Sequence, residues 1–376
     1  MALCAHWRVL AAGHWRVLAA GGSRKRRWIR GSGIAVAVLA ATVSGCGLVA
    51  TSNGPGWKAL HPKSSPSPRS GPRMTYDAAI KEVVLVGGVT VGVVDGIWTW
   101  NGITWTKQNP PQSPKIPVEP TIAYDAATQS VVALYLYGPI SRLHKVHCVT
   151  WTWNGITWTK QHPAQRPDGP TFPNGFRMVY DATTKDIVFV EQEPAVAGRG
   201  PGYLATWTWN GITWTKQHPA QSPPSRFWES MAYDAASRQV VLFGGGGHTS
   251  NSSGVFDGTW TWNGITWTKQ HPAQSPPGRV WGSMAYDSAL QQVVLFGGLT
   301  RPNRSGQLLN DTWTWNGTTW TKLGLAQSPS PRWLASMVYD AATNNLVLFG
   351  GIADGRTTSH TWTLRLARNS PANYPR

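Results

Sequence analysis

Residue types that could do chemistry are sparse in this chain. The stretch "HKVHC" sets two imidazoles, His144 and His147, beside the thiol of Cys148. These are ligand types that a borderline transition metal takes. The cluster is short and has no distant partner at ligand spacing, so it is a weak metal candidate, and no cofactor is expected. Four arginines, Arg69, Arg226, Arg279 and Arg332, each open a repeated segment. A guanidinium group holds a carboxylate or phosphate through parallel N–H donors. Four of them near one opening would make an anion-binding rim; the plainer alternative is a structural bond to a neighbouring strand. His248 and His360 fall in segments that differ from unit to unit and complete the candidate ligand face. No Ser-His-Asp set and no carboxylate pair assembles from the spacing. No catalytic residue is therefore assigned, and an oxidoreductase or hydrolase is the last of three functional readings.

The elements that must position these residues repeat. "WTWNGITWTK" occupies 98–107, 151–160, 207–216 and 260–269, and "WTWNGTTWTK" occupies 313–322. A Tyr-Asp element precedes each copy ("MAYDAA" at 231, "MAYDSA" at 284), and an apolar element ending in two glycines lies between them ("VVLFGG" at 240 and 293). The WTW elements, with a sixth reading "WTL" at 362, are spaced 53, 56, 53, 53 and 49 residues apart. A period near 50 marks a solenoid or propeller. Each unit reads as four short strands, a to d, with Asn-Gly between c and d. Asn-Gly between alternating segments signals a two-residue hairpin turn. That register puts Trp100 opposite Ile103 and Trp98 opposite Trp105, all on one face, with Thr99, Thr104 and Thr106 on the other. A lone sheet cannot bury such a face, whereas stacked blades can. The tryptophans read as structural before they read as a ligand platform.

The sixth unit supplies a, b and c but no d. The missing strand stands at the other end: "GWKALHPKSSPSPR" (56–69) aligns with "TWTKQHPAQSPPGR" (266–279). The expected fold is all-β, a six-bladed β-propeller of four-stranded antiparallel blades, closed by an N-terminal strand d that completes the last blade. The chain resembles the kelch-repeat family, whose best-known enzyme members carry a galactose-oxidase-like central domain. The resemblance rests on Gly87–Gly88, Gly297–Gly298 and Gly350–Gly351, on the strand-d tryptophans Trp105, Trp158, Trp214, Trp267 and Trp320, and on the four opening arginines. It covers 56–367. Units 2 and 3 depart from it, with "YLYG" and "FVEQ" in place of the diglycine and no opening arginine, so those blades are expected to be distorted. The copper oxidases of that family need a tyrosine–cysteine crosslink and a histidine pair, and nothing around Cys148 matches. The resemblance implies that the b–c and d–a loops share one face. The b–c loops all differ while the a–b and c–d turns are nearly constant, so recognition is expected on the loop face.

The first 45 residues carry seven Arg/Lys and no acid, with "SRKRRWIR" before the apolar run "GIAVAVLAATVSG" and Cys46. That order describes an export signal, and "VSGC" resembles a bacterial lipobox, which implies acylation of Cys46. The expected organisation is a lipoprotein signal at 1–45, a tether at 46–55, the propeller at 56–367 and a tail at 368–376. The chain is then exported and anchored to the outer face of a bacterial membrane. Without the signal the net charge falls from +17 to +10, since 17 − 7 = 10. A basic surface there favours anionic wall polymers or lipid headgroups over nucleic acid, for which no motif is present. With Cys4 in the signal and Cys46 acylated, Cys148 has no disulfide partner. The leading functional reading is a monomeric, lipid-anchored binding or scaffold module for a protein or polymer. A carbohydrate or wall-polymer binder using exposed Trp comes next.

Overall fold

The computed structural model describes residues 56–90, 93–94, 96–114, 120–137, 147–167, 176–193, 202–249, 252–302 and 306–366. All of them belong to a compact unit spanning Ser52–Arg376. Cys46, the proposed signal, the tether, the tail and His144 lie outside the described residues.

The described residues contain strands and no helix, and the repeats become six four-stranded antiparallel sheets. The innermost strands a are Arg73–Asp77, Thr121–Asp125, Arg177–Asp181, Ser230–Asp234, Ser283–Asp287 and Ser336–Asp340, in blades 1 to 6. Each touches the strand a of the next blade, and blade 6 touches blade 1, so the ring is closed about an axis. The closure is the expected one. Trp57–Leu60 pairs with Thr361–Leu364, with Trp57 opposite Leu364 and Leu60 opposite Thr361.

The c–d hairpin differs from the expected register. Trp100 pairs with Trp105, and Trp98 faces Lys107 rather than Trp105. The connection is a four-residue turn, because the Asn101 side chain takes over as acceptor: Oδ1 receives N–H bonds from Ile103 and Thr104, both 3.0 Å. Such an Asx turn competes with the two-residue hairpin. Gly102 supplies the positive φ of 90°. Ile103 is thereby displaced from the buried face to the exposed tip. Thr99 accordingly faces Thr106 and not Thr104, the partner that the two-residue register implied.

The repeat tryptophans are core, not platform. Trp100, Trp105, Trp153, Trp158, Trp209, Trp214, Trp262, Trp267, Trp315 and Trp320 are fully buried. Five of the six strand-d indoles reach the preceding blade, where a threonine ahead of the WTW or WTL element accepts the N–H. The pairs are Trp57 to Thr312, Trp105 to Thr361, Trp214 to Thr150, Trp267 to Thr206 and Trp320 to Thr259, at 2.8–3.0 Å. The sixth link is absent. Blade 1 carries Ile97 at the threonine position, and the buried Trp158 Nε1 has no partner. Thr259→Val keeps the shape and removes the acceptor. It is expected to lower stability by about 1–3 kcal/mol in denaturant titration, the cost of orphaning a buried donor.

The two units lacking the diglycine are extended rather than distorted. Strand b runs for eight residues in blade 2 (Ser130–Tyr137) and blade 3 (Asp186–Glu193), and also in blade 5 (Gln292–Leu299), where it passes through Gly297–Gly298 with a register shift between Phe296 and Gly298. In blades 1, 4 and 6 it stops after five, at glycines with φ between 71° and 99°.

Candidate functional site

The four opening arginines sit on the loop face but are sealed into it. Arg69, Arg226, Arg279 and Arg332 are at most 1% exposed. Each Nη1 donates to the first diglycine carbonyl of its own blade: Gly87, Gly244, Gly297 or Gly350, at 2.9–3.3 Å. Nε donates two residues back, to Ser67, Pro224, Pro277 or Ser330. The main chain reaches the other way. Gly245 N donates to Arg279 O, Gly298 N to Arg332 O and Gly351 N to Arg69 O. One residue thus ties its own strand b to that of the preceding blade. The expected anion-binding rim is corrected on this point: these guanidinium groups are bound to carbonyls within the fold. Burial lowers the pKa of Arg226 and Arg332 to about 10.

The remaining sequence candidates do not converge with them. His360 is exposed on the loop face, its pKa lowered by burial and by nearby Arg332 and His61. His248 lies in a small hairpin, Gly246–Thr249 with Ser252–Val255, that fills the b–c loop of blade 4. His147 is the first residue of the extended strand c of blade 2, opposite Tyr137, and not in a loop. Cys148 is buried with Leu134, Leu136 and Phe176. Among the described residues no group of three His, Cys, Asp or Glu could hold a metal.

The groups that do converge open the six strands a. A cavity of about 100 Å³ on the axis is lined by Arg73, Thr121, Arg177, Ser230, Ser283 and Ser336. Beneath them lies a second, apolar ring: Met74, Ile122, Met178, Met231, Met284 and Met337. Strand a starts where the d–a loop ends, so the polar ring is on the loop face. Arg73 and Arg177 are half-buried. The serines are anchored across blades: Ser230 and Ser283 donate to Gly282 O and Ala335 O, and Ser336 accepts from Met74 N.

Behind the ring is Glu229, fully buried, with neither carboxylate oxygen meeting a hydrogen-bond donor. Burial pushes its pKa up, against the opposing pull of Arg177, its own amide, Arg226 and Arg73.

The opposite wall is apolar. Trp281 and Leu334 line the cavity, and Phe227, Trp228, Trp281 and Trp333 form a continuous aromatic row with centroids 4.2, 4.2 and 4.5 Å apart. Trp228, Trp281 and Leu334 have φ of 65°, 56° and 54°, and the equivalent residue of blade 1 is Gly71, at 67°. The conformation serves an inter-blade ladder, in which Gly71 N donates to Leu334 O, Leu334 N to Trp281 O and Trp281 N to Trp228 O. Glycine would satisfy that ladder without strain. A bulky residue there costs about 1–3 kcal/mol, so these side chains are held at the mouth against the backbone's preference. The result is a cavity with a cationic wall on blades 1 and 3, an apolar wall on blades 5 and 6, and hydroxyls between. It is suited to binding a compact anionic group with an apolar side.

No protein-family model matches the chain, and no curated protein matches it. Among solved structures, the chain is similar to one titled "Structure of YjhT", with a TM-score of 0.58 and 13% identity over 82% of this chain and 98% of that one. At that identity the likeness shows the fold alone: the chain is a six-bladed β-propeller.

Proposed function

We propose that this is a kelch-type binding module, exported and lipid-anchored through Cys46, that engages an anionic polymer or protein segment at the axial mouth of its loop face. The carrying observation is that Arg73 and Arg177 stand in the axial ring where other units place Ser230, Ser283 and Ser336. Two cations in a cavity that Trp281 and Leu334 also line suit a carboxylate- or phosphate-bearing ligand with an apolar side. The opening arginines, which the sequence singled out, support this site from behind by fixing the diglycine turns.

The test titrates the full chain with a glycerol-phosphate polymer and with a polyuronate, beside the Arg73→Gln/Arg177→Gln double variant. Both residues are half-buried at the mouth, so thermal unfolding should stay near the parent's. Saturable binding that weakens about tenfold or more in the variant is expected, from the loss of two charge-assisted contacts. Equal affinity of parent and variant would remove the axial site from the reading.

A further inference from the structure

The opposite face of the disc, formed by the a–b and c–d turns, has a chemistry of its own. Four turn tips each present one isoleucine to solvent: Ile103, Ile156, Ile212 and Ile265, between 72% and 80% exposed. They come from blades 1 to 4 in succession. The turn itself does not need them. Blade 5 has Thr318 at the tip and keeps the same Asx turn, with Asn316 Oδ1 accepting from Thr318 N and Thr319 N at 3.1 and 3.0 Å. Isolated exposed aliphatics are ordinary on a protein surface. Four at equivalent positions of one face, each on a rigid hairpin, are a patterned apolar rim.

Between them lie the a–b turns. Their exposed charged residues are all cations: Lys81, Lys185 and Arg238. The carboxylates that end strand a are withdrawn, and the two that follow these lysines at the start of strand b, Glu82 and Asp186, are half-buried. Asp77, Asp125, Asp181, Asp234, Asp287 and Asp340 are buried. All six accept a backbone N–H two residues on at 2.9–3.0 Å, as Asp77 does from Ala79 and Asp340 from Ala342. Apolar tips among exposed cations match an anionic lipid surface, where shallow insertion and headgroup attraction add.

The chain's own connectivity points the same way. Strand d of blade 6 begins at Trp57, opposite Leu364, the position that follows the c–d turn in the other blades. The polypeptide therefore enters the propeller on the turn face. Ten residues, 46–55, can carry an acylated Cys46 at most about 35 Å from Gly56. We infer that the turn face rests on an anionic lipid bilayer, with the isoleucine tips in the headgroup layer and the axial mouth directed outward. This inference rests on the anchored reading proposed above and adds the orientation.

The experiment uses the full chain in vesicles of phosphatidylcholine and phosphatidylglycerol that contain a nitroxide lipid. An environment-sensitive fluorescent amino acid replaces Thr318 on the turn face or, as control, Arg356 on the loop face. The expected result is co-sedimentation with vesicles, with quenching at position 318 and none at 356. In the I103S/I156S/I212S/I265S chain, quenching at 318 should fall by about fivefold or more. The four residues lie outside the core, so its unfolding temperature should match the parent's. Co-sedimentation with equal, low quenching at both positions would overturn the orientation and leave the anchor standing. Undiminished quenching in the quadruple variant would overturn the role of the isoleucines. A chain that stays in the supernatant would overturn both orientation and anchor.

Discussion

Trp57→Ala is expected to destabilise the whole propeller by about 3–5 kcal/mol, although the residue lies on a four-residue strand at the edge of the described chain. A propeller's blades are each stabilised by two neighbours, so the seam is the place where the ring can open. Here the seam is one strand wide. Trp57 contributes all three kinds of contact that close it. Its backbone pairs with Leu364. Its indole N–H reaches Thr312 in blade 5 at 3.0 Å. Its ring packs on Phe296 with centroids 5.1 Å apart. It is 1% exposed and belongs to the cluster of Phe296, Leu346, Leu348 and Leu364. Alanine removes the packing and leaves the Thr312 hydroxyl without its donor. Trp57→Phe separates the terms: it keeps an aromatic ring near Phe296 and loses the bond, for an expected cost of about 1–3 kcal/mol. Guanidinium titration by far-ultraviolet circular dichroism reads both. Parent-like stability in Trp57→Ala would mean that the seam contributes little and that blades 1 to 5 hold the ring without it.

That seam was legible in the sequence because it is a copy. Trp57 stands in "GWKALHP" where Trp267 stands in "TWTKQHP", and a position repeated in every unit betrays its role. Repetition also revealed blade number, strand order and the structural duty of the tryptophans. It misled in two places. The Asn-Gly pair suggested a two-residue turn, since the backbone rule for that dipeptide is strong. The Asn side chain instead bonds two following amides and lengthens the loop. The opening arginines drew attention for their charge, yet a residue kept in four units at the same distance, 18 residues, from a diglycine carbonyl is a structural residue.

The axial site was written in the opposite signal. Arg73, Thr121 and Arg177 depart from the serine that units 4 to 6 carry in the same column, and Glu229 departs from Gly282 and Ala335 in the next. In a repeat protein the consensus builds the scaffold, and the exceptions carry what is particular to one blade. Their convergence depends on six strands meeting at one axis, which alignment alone does not supply. The positive φ of Trp228 and Trp281 likewise has no local sequence cue, because the ladder that imposes it runs between blades.

Arg279 shows how costly a misassigned arginine would be. Its guanidinium forms a bidentate pair with Asp311, at 2.7 and 2.9 Å, the side chains being 1% and 11% exposed. Burial alone would raise the Asp311 carboxyl. The Arg279 guanidinium, the Trp313 indole and Lys322 outweigh it and hold the pKa below the ordinary aspartate value. Arg279→Ala is expected to cost about 3–5 kcal/mol, because it strands a buried carboxylate and frees the Gly297 carbonyl. Arg332→Ala has the same carbonyl role but orphans no carboxylate at hydrogen-bonding distance, and should cost less, about 1–3 kcal/mol. The pH dependence separates the pair from the packing. A carboxyl whose folded pKa is depressed contributes stability that is present above the unfolded value and is lost as pH falls through the folded one. The stability gap between the parent and Asp311→Asn should therefore be constant above about pH 5 and narrow progressively below about pH 4. The Arg332→Ala gap should not narrow in that window. A gap for Asp311→Asn that is flat to pH 2 would assign the cost of these variants to lost packing and not to the ion pair, since only the pair has a proton to gain.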